Sequence, residues 1–250
     1  MTMLQVQTQL TETLDLTHTL SSSTPIYPGD PEFSCTRHTS ESDGYTVHSI
    51  SMGTHTGTHI DAPYHFFPSG RKIDQVSLDE VVGLGVVFID LSVGIKERQR
   101  IGWDAFATYE SQMKEGKAVL VHTGWWKHYG DKAKYFAHPF FDKDVAEGIL
   151  ATGARLVAFD TPNPDCTPFE GKGEDEGYGF HEAFLGRGGL IVENVNLGLL
   201  ADVWQFHDEE VVEGQVPDWT VSFVPLRLDG CDGSPVRAFV SKRMMTTELQ

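Results

Sequence analysis

Four short apolar runs set the terms for this fold: Val86-Val87-Phe88-Ile89, Ala118-Val119-Leu120-Val121, Leu156-Val157-Ala158-Phe159 and Leu190-Ile191-Val192. Rich in β-branched residues and free of polar interruption, each reads as a buried strand. Helix-like segments alternate with them. Trp103 to Lys117 predicts a helix with Asp104 near its start and Gly116 near its end, and Asp142 to Thr152 predicts another, closed by Gly153. Near the C-terminus, Val221 to Leu228 and Val236 to Val240 bracket Asp229-Gly230-Cys231-Asp232-Gly233-Ser234, a hairpin signal. Alternation of this kind predicts the α/β class, while the terminal hairpin and a strand-rich first 70 residues imply a mixed sheet. No repeat, low-complexity tract or linker divides the chain, so residues 1–250 are expected to form a single domain. A domain that long buries roughly 70–75% of its unfolded surface and supports a full core. The segment from Asn163 to Gly179 is rich in Gly, Pro, Asp and Glu and is expected to be a lid or a subunit-contact loop.

Charge excludes several functions. Lys and Arg number 19 against 36 Asp and Glu, a net charge of −17. That balance argues against nucleic acid, whose binding depends on cationic side chains displacing counterions, and against anionic membrane surfaces. No stretch approaches the ~18 apolar residues of a membrane span. The start, Met1-Thr2-Met3-Leu4-Gln5, has no Lys or Arg before Arg37 and no apolar run behind it, so neither a secretory signal nor a transit peptide is expected. Cys35, Cys166 and Cys231 are odd in number and far apart, which fits a reducing, cytoplasmic setting.

Chemistry concentrates in His55-Thr56-Gly57-Thr58-His59-Ile60-Asp61-Ala62-Pro63-Tyr64-His65, where three histidines and one aspartate fall within eleven residues. A helix is disfavoured by the β-branched threonines, Gly57 and Pro63. Extended chain would place His55, Gly57, His59, Asp61, Pro63 and His65 on one face, with Pro63 expected to redirect the chain before His65. A straight strand would hold His55 and His59 roughly 13 Å apart, too far for one metal, so Gly57 is the point where the chain would bend. Imidazoles beside a carboxylate, with no thiol offered, suit Zn²⁺ or Mn²⁺. Downstream, His181 follows the acidic loop and Glu193 ends an apolar run. A carboxylate buried there would want a cation, and one pointing to solvent would not.

The His55–His65 stretch resembles the signature of the metal-dependent cyclase-like hydrolases, a family that includes bacterial kynurenine formamidases and isatin hydrolases. Supporting resemblances run in order along the chain: Leu16-Thr17-His18 with Thr24-Pro25-Ile26-Tyr27-Pro28-Gly29-Asp30, then Thr123-Gly124-Trp125, Asp160-Thr161-Pro162, Glu193-Asn194 and Pro225-Leu226-Arg227-Leu228. The resemblance implies a mixed, barrel-like β core surrounded by helices, assembled as a homodimer or homotetramer. It implies metal ligands at His55, His59 and Asp61, with His181 and Glu193 completing one or two Zn²⁺ or Mn²⁺ sites, and a catalytic acid/base at His65. Two departures bear on the substrate: Tyr27 stands where kynurenine formamidases often carry Trp, and Tyr64 where a smaller apolar residue is usual.

The activity implied is hydrolysis of a C–N amide bond, with an aryl formamide such as N-formylkynurenine first and a cyclic amide such as isatin second. A metal polarises the carbonyl and lowers the pKa of water, and His65 is suited to move the proton. Tyr64, Phe66, Phe67 and Trp125 are candidates for lining a slot for a flat arylamide, or for packing the core. A metal-dependent cyclase or dehydratase is the rival reaction. A silent metal-binding protein is a third class, and it has no use for His65. Cys166 has no partner base, and His18, His38, His48, His122, His128, His138 and His207 carry no assigned role.

Overall fold

The computed structural model describes residues 9–169, 177–205 and 219–245. In chain order its strands are β1 (Gln9–Asp15), β2 (Ser34–Arg37), β3 (His48–Ser51), β4 (His59–Asp61), β5 (Leu84–Asp90), β6 (Arg100–Ile101), β7 (Lys117–His122), β8 (Phe140–Phe141), β9 (Leu156–Phe159), β10 (Leu190–Glu193), β11 (Trp219–Pro225) and β12 (Gly233–Met245). The α-helices are α1 (Lys132–Tyr135), α2 (Lys143–Ala151), α3 (Gly179–Leu185) and α4 (Gly198–Gln205). The four apolar runs lie side by side as parallel neighbours in the order β5-β7-β9-β10. From β10 the sheet continues antiparallel through β4 to β12 and β11 and returns to β5. Seven strands thus close a mixed α/β barrel, with β1 added along the far end of β12. Among the described residues no helix is long and apolar enough to cross a membrane.

Unbroken apolar runs are what this arrangement requires, because both faces of the parallel strands are covered. Phe88, Leu120, Ala158 and Val192 point inward with Ile60, Phe223 and Ala238 in a cluster that draws on all seven strands. Their neighbours Ile89, Val121, Phe159 and Ile191 point outward against Val145 and Ile149 of α2 and Phe180 and Phe184 of α3. Asp160 follows β9 and ties two of the supporting motifs together. Its carboxylate, fully buried, accepts the backbone N–H of Thr123 at 3.0 Å and of Trp125 at 3.1 Å, and the Thr123 hydroxyl at 2.6 Å.

One expectation needs correction. Trp103–Lys117 is not an α-helix: it forms 3₁₀ turns over Trp103–Ala105 and Ala107–Gln112, and Lys117 already belongs to β7. Gly102 supplies no side-chain cap, and the turns bury Phe106 and Met113 against the outer layer. The loop expected over Asn163 to Gly179, a lid or a subunit contact, begins with anchored residues. Asn163, Asp165 and Thr167 are buried, Asn163 Nδ2 donates to Thr167 Oγ1 at 2.6 Å, and the backbone N–H of Asp165 donates to Asn163 Oδ1 at 2.6 Å. Its residues 170–176 lie outside the described residues. The C-terminal hairpin is present, with its first strand ending at Pro225 and its second beginning at Gly233.

Phe159 tests the outer layer. It is 0% exposed, and its ring lies 4.7 Å from that of Phe141 and 5.3 Å from that of Phe180. Phe159→Ala should destabilise the protein by about 3–5 kcal/mol, read as a lower urea midpoint at unchanged m-value. A loss below about 1 kcal/mol would show that this layer does not hold the helices to the barrel.

Candidate metal centre and its cavity

A three-residue strand positions the site. Ile60 of β4 enters the barrel interior, so His59 and Asp61 on either side of it project from the opposite face. Pairing with β10 sets His59 across from Glu193 and Asp61 across from Ile191. Before β4 the chain bends at Gly57, whose φ of +67° and whose missing Cβ, which would fall 2.4 Å from Leu20 Cδ2, both call for glycine. The bend returns His55 to Asp61, with Nδ1 to Oδ1 at 2.7 Å. Beyond β4, Pro63 opens a 3₁₀ turn over Pro63–His65 that folds His65 back until its ring lies 4.0 Å from that of His55. The extended part of the His55–His65 segment is thus the three residues of β4, with the bend at Gly57 and the turn at Pro63 falling where those two residues lead one to expect them.

The two downstream residues arrive from elsewhere in the fold. Glu193 is the last residue of β10, and its Oε2 lies 3.3 Å from His59 Nε2, the same distance as Asp61 Oδ1 from that nitrogen. His181 lies in the first turn of α3, its Nε2 3.1 Å from Glu193 Oε1 and 3.5 Å from Asp61 Oδ2. Each ring is aimed by its other nitrogen. His59 Nδ1 donates to the Gly57 carbonyl at 2.8 Å and His181 Nδ1 to Asp165 Oδ2 at 2.6 Å, leaving both Nε2 atoms facing the carboxylates. Asp165 also accepts the backbone N–H groups of Phe180 and His181, and so holds the start of α3 over the site.

At the centre, three buried polar atoms have no hydrogen-bond partner: His59 Nε2, Asp61 Oδ2 and Glu193 Oε1. Orphaned buried acceptors are costly and rare. His59 Nε2 faces Asp61 Oδ1 and Glu193 Oε2, while Asp61 Oδ2 and Glu193 Oε1 face His181 Nε2, so a cation held among these groups would meet the unsatisfied demand. Nitrogen and carboxylate oxygen donors without sulfur fit Zn²⁺ or Mn²⁺. His55, His59 and Asp61 present ligand atoms within 4.8 Å of one another, as do Asp61, His65 and His181.

The charges point the same way. Burial opposes a charged His59, yet Asp61 and Glu193 outweigh it and push its pKa up to about 10. Burial likewise opposes a charged His55, and Asp61 and Asp232 push it up to about 9. His181 is raised well above its usual value, against its burial, by Asp165, Asp61 and Glu193. Burial would raise Asp61, but His55 and His59 hold it well below the usual carboxylate range. Without a cation the imidazoles supply the positive charge.

The cluster forms the floor of a cavity of about 310 Å³. His55, His59, His65, His181 and Glu193 line it together with Phe66, Tyr27, Phe136, Tyr178, Asn163, Asn194 and Asp30. Three of the four predicted slot residues are elsewhere. Trp125 is buried in the fold, its indole N–H donating to the Tyr135 carbonyl at 3.0 Å, and Tyr64 lies under Lys72, whose ammonium is 4.9 Å from the ring. Phe67 packs with the outer layer. Cys166 is buried beside Arg98 and does not line the cavity. The aromatic walls are Phe66 with Tyr178, rings 5.3 Å apart, and Tyr27 with Phe136, rings 6.3 Å apart. Tyr27, which the sequence marks as bearing on the substrate, does line the cavity; Phe136, Tyr178, Asp165 and Asp232 carry no local sequence signal, because tertiary contacts alone bring them here.

Residues 14–166, more than half of the chain, match the model of the Cyclase family, described as "putative cyclase". The chain belongs to the Cyclase family. The resemblance carried by the His55–His65 motif is thereby borne out. This Cyclase-family chain is 29% identical over 232 residues to the kynurenine formamidase of Geobacillus thermodenitrificans, across 92% of this chain and 97% of the relative. It is 30% identical over 233 residues to a kynurenine formamidase of Bacillus cereus, with the same coverages. Its fold matches that of an isatin hydrolase bound to the product analogue thioisatinate, with a TM-score of 0.75 at 20% identity over 94% of this chain and 93% of that one. A structure titled a potential metal-dependent hydrolase with cyclase activity aligns at a TM-score of 0.68 and 25% identity, over 94% of this chain and all of the other (100%).

The raised histidines generate a prediction with a definite sign. Their folded pKa values lie above the unfolded ~6.5, so the metal-free protein has their full stabilisation below that pH and loses it as pH rises through about 9 to 10. A cation must expel those protons, so its affinity should rise with pH over the same window. Calorimetric titration with Zn²⁺ at pH 7 in buffers of different ionisation enthalpy should report release of about two to three protons. Binding without proton release would show that these imidazoles are not ligands.

Proposed function

We propose that this protein is a metal-dependent amidohydrolase whose substrate is an aryl formamide such as N-formylkynurenine. One observation carries the reading: His59 and Glu193, whose orphaned atoms lie beside the buried Asp61, line a cavity whose wall also presents His65. His55, His59, Asp61, His181 and Glu193 would hold the ion, Zn²⁺ or Mn²⁺. When bound, it supplies Lewis-acid polarisation of an amide carbonyl and acidifies water. The chain supplies the rest. His65 takes the proton of the attacking water and returns it to the nitrogen that leaves as amine. Phe66, Tyr178, Tyr27 and Phe136 hold an aromatic ring from two sides and keep bulk water out. Among the described residues no Lys or Arg lines the cavity, and Asp30 offers a counter-charge to an ammonium such as the α-amino group of N-formylkynurenine.

A cyclic amide such as isatin is the second substrate reading, supported by the flat aromatic slot and the fold shared with isatin hydrolase. A dehydratase reaction on the same ion would neither consume water nor release a new carboxylate. A reducing, cytoplasmic setting belongs to the proposal as well, supported by three free cysteines.

Assembly of identical subunits is supported by the β2–β3 arm. Both strands are exposed along their whole length, with Tyr45 65% and Ile50 59% exposed. A two-stranded hairpin is at best marginally stable alone in water, so a second copy of the chain is the expected cover. Sedimentation equilibrium should give at least a dimer, shifted toward monomer by Ile50→Asp; a wild-type monomer would refute the assembly.

The enzymatic reading is tested by metal removal and by His65. Exhaustive chelation should abolish hydrolysis of N-formylkynurenine, and Zn²⁺ or Mn²⁺ should restore it. His65→Gln should keep its metal while kcat falls by about 10²–10⁴-fold. Full activity in metal-free protein would contradict the proposal, and loss of metal from His65→Gln would make that residue a ligand.

A further inference from the structure

Asp232 does not line the cavity, yet it touches two imidazoles that do. Its Oδ2 lies 2.8 Å from His55 Nε2 and 3.1 Å from His65 Nδ1, and its Oδ1 accepts the Thr54 hydroxyl at 2.9 Å. The carboxylate is fixed to the metal strand from behind. The Asp232 carbonyl accepts the Ala62 N–H at 2.9 Å, and the next residue, Gly233, stands opposite Asp61 in the β12–β4 ladder. A Cβ on Gly233 would lie 2.9 Å from His55 Cε1, so glycine there lets the strand approach the ring.

We propose that Asp232 is a positioning residue that sets the tautomer of both rings. A carboxylate only accepts hydrogen bonds, and a neutral imidazole carries its single N–H on one nitrogen. The proton of His65 must then sit on Nδ1, which leaves the Nε2 lone pair as the atom available to the cavity. His55 has a carboxylate on each nitrogen, Asp61 Oδ1 at 2.7 Å from Nδ1 and Asp232 Oδ2 at 2.8 Å from Nε2. A cation that displaces the Nδ1 proton would leave the Nε2 proton donated to Asp232 and Nδ1 as the ligand atom. One oxygen thus presents a ligand to the ion and a base to the substrate. The catalytic consequence rests on the amidohydrolase reading. His65 Nε2 accepts a proton from water as the C–O bond forms, then gives it to the nitrogen as the C–N bond breaks, ending in the tautomer it began with. The tautomer assignment does not depend on that reading.

Imidazole ¹H–¹⁵N spectra of the full chain loaded with Zn²⁺, with His65→Gln to identify the signal, should show His65 protonated on Nδ1 and bare on Nε2. Asp232→Asn replaces an acceptor by a donor and should move the proton to Nε2. With excess Zn²⁺ it should keep the wild-type metal content and a KM within about threefold, while kcat falls about 10²-fold or more; Asp232→Glu should recover part of that loss. A wild-type His65 protonated on Nε2 would overturn the proposal. So would an Asp232→Asn enzyme with undiminished kcat, or one fully restored by excess Zn²⁺, because Asp232 would then only support the ligand His55. If the wild-type protein shows the assigned tautomer but hydrolyses no arylamide, the amidohydrolase reading fails and the tautomer assignment stands.

Discussion

Everything at this site depends on the pairing of one three-residue strand. β4 contributes a few ladder hydrogen bonds to β10 on one side and β12 on the other, and those bonds close the barrel. They also place Glu193 opposite His59 and Gly233 opposite Asp61, so closing the fold and assembling the donor set are one event. Side chains alternate along a strand, so a slip of one residue would send His59 and Asp61 into the apolar interior and Ile60 into the site. Ile60, fully buried among the inward residues of the other strands, locks the register.

That geometry creates a charge problem which defines the chemistry. Asp61, Glu193 and Asp165 are all buried within hydrogen-bonding or ion-pair distance of His181. A carboxylate withdrawn from water costs several kcal/mol unless a cation or donor compensates it. Protonated imidazoles compensate in the metal-free protein; a divalent ion held here would do so more completely and would give the orphaned atoms a partner. Metal binding is consequently linked to folding stability.

How much of this was legible in the sequence follows from the range of each interaction. Val86–Ile89 and its three counterparts read directly as strands because burial on both faces makes them uniformly apolar. His55, His59, Asp61 and His65 stood out because they are close in sequence, and Gly57 marked the bend between the first two. The turn at Pro63 was legible too, since a proline interrupts a strand ladder and redirects the chain. Asp232 lies 177 positions from His55, and nothing local distinguishes it from the other polar residues of a hairpin turn. Asp165 was hidden in an acidic segment whose composition resembles a solvated loop, whereas its carboxylate is bound by the first N–H groups of α3. Trp125 and Phe66 are both aromatic residues near motif positions. Only the fold decides that one packs beneath Tyr135's carbonyl and the other stacks on His181, rings 4.9 Å apart.

The most direct measurement is a crystal structure of the metal-loaded protein with anomalous scattering data collected at the absorption edge of the ion. The account predicts an anomalous peak about 2.0–2.2 Å from His59 Nε2 and from carboxylate oxygens of Asp61 and Glu193, on the floor of the cavity beneath His65. Anomalous density only at surface carboxylates, with the His59–Asp61–Glu193 centre holding nothing but water in an active enzyme, would contradict it.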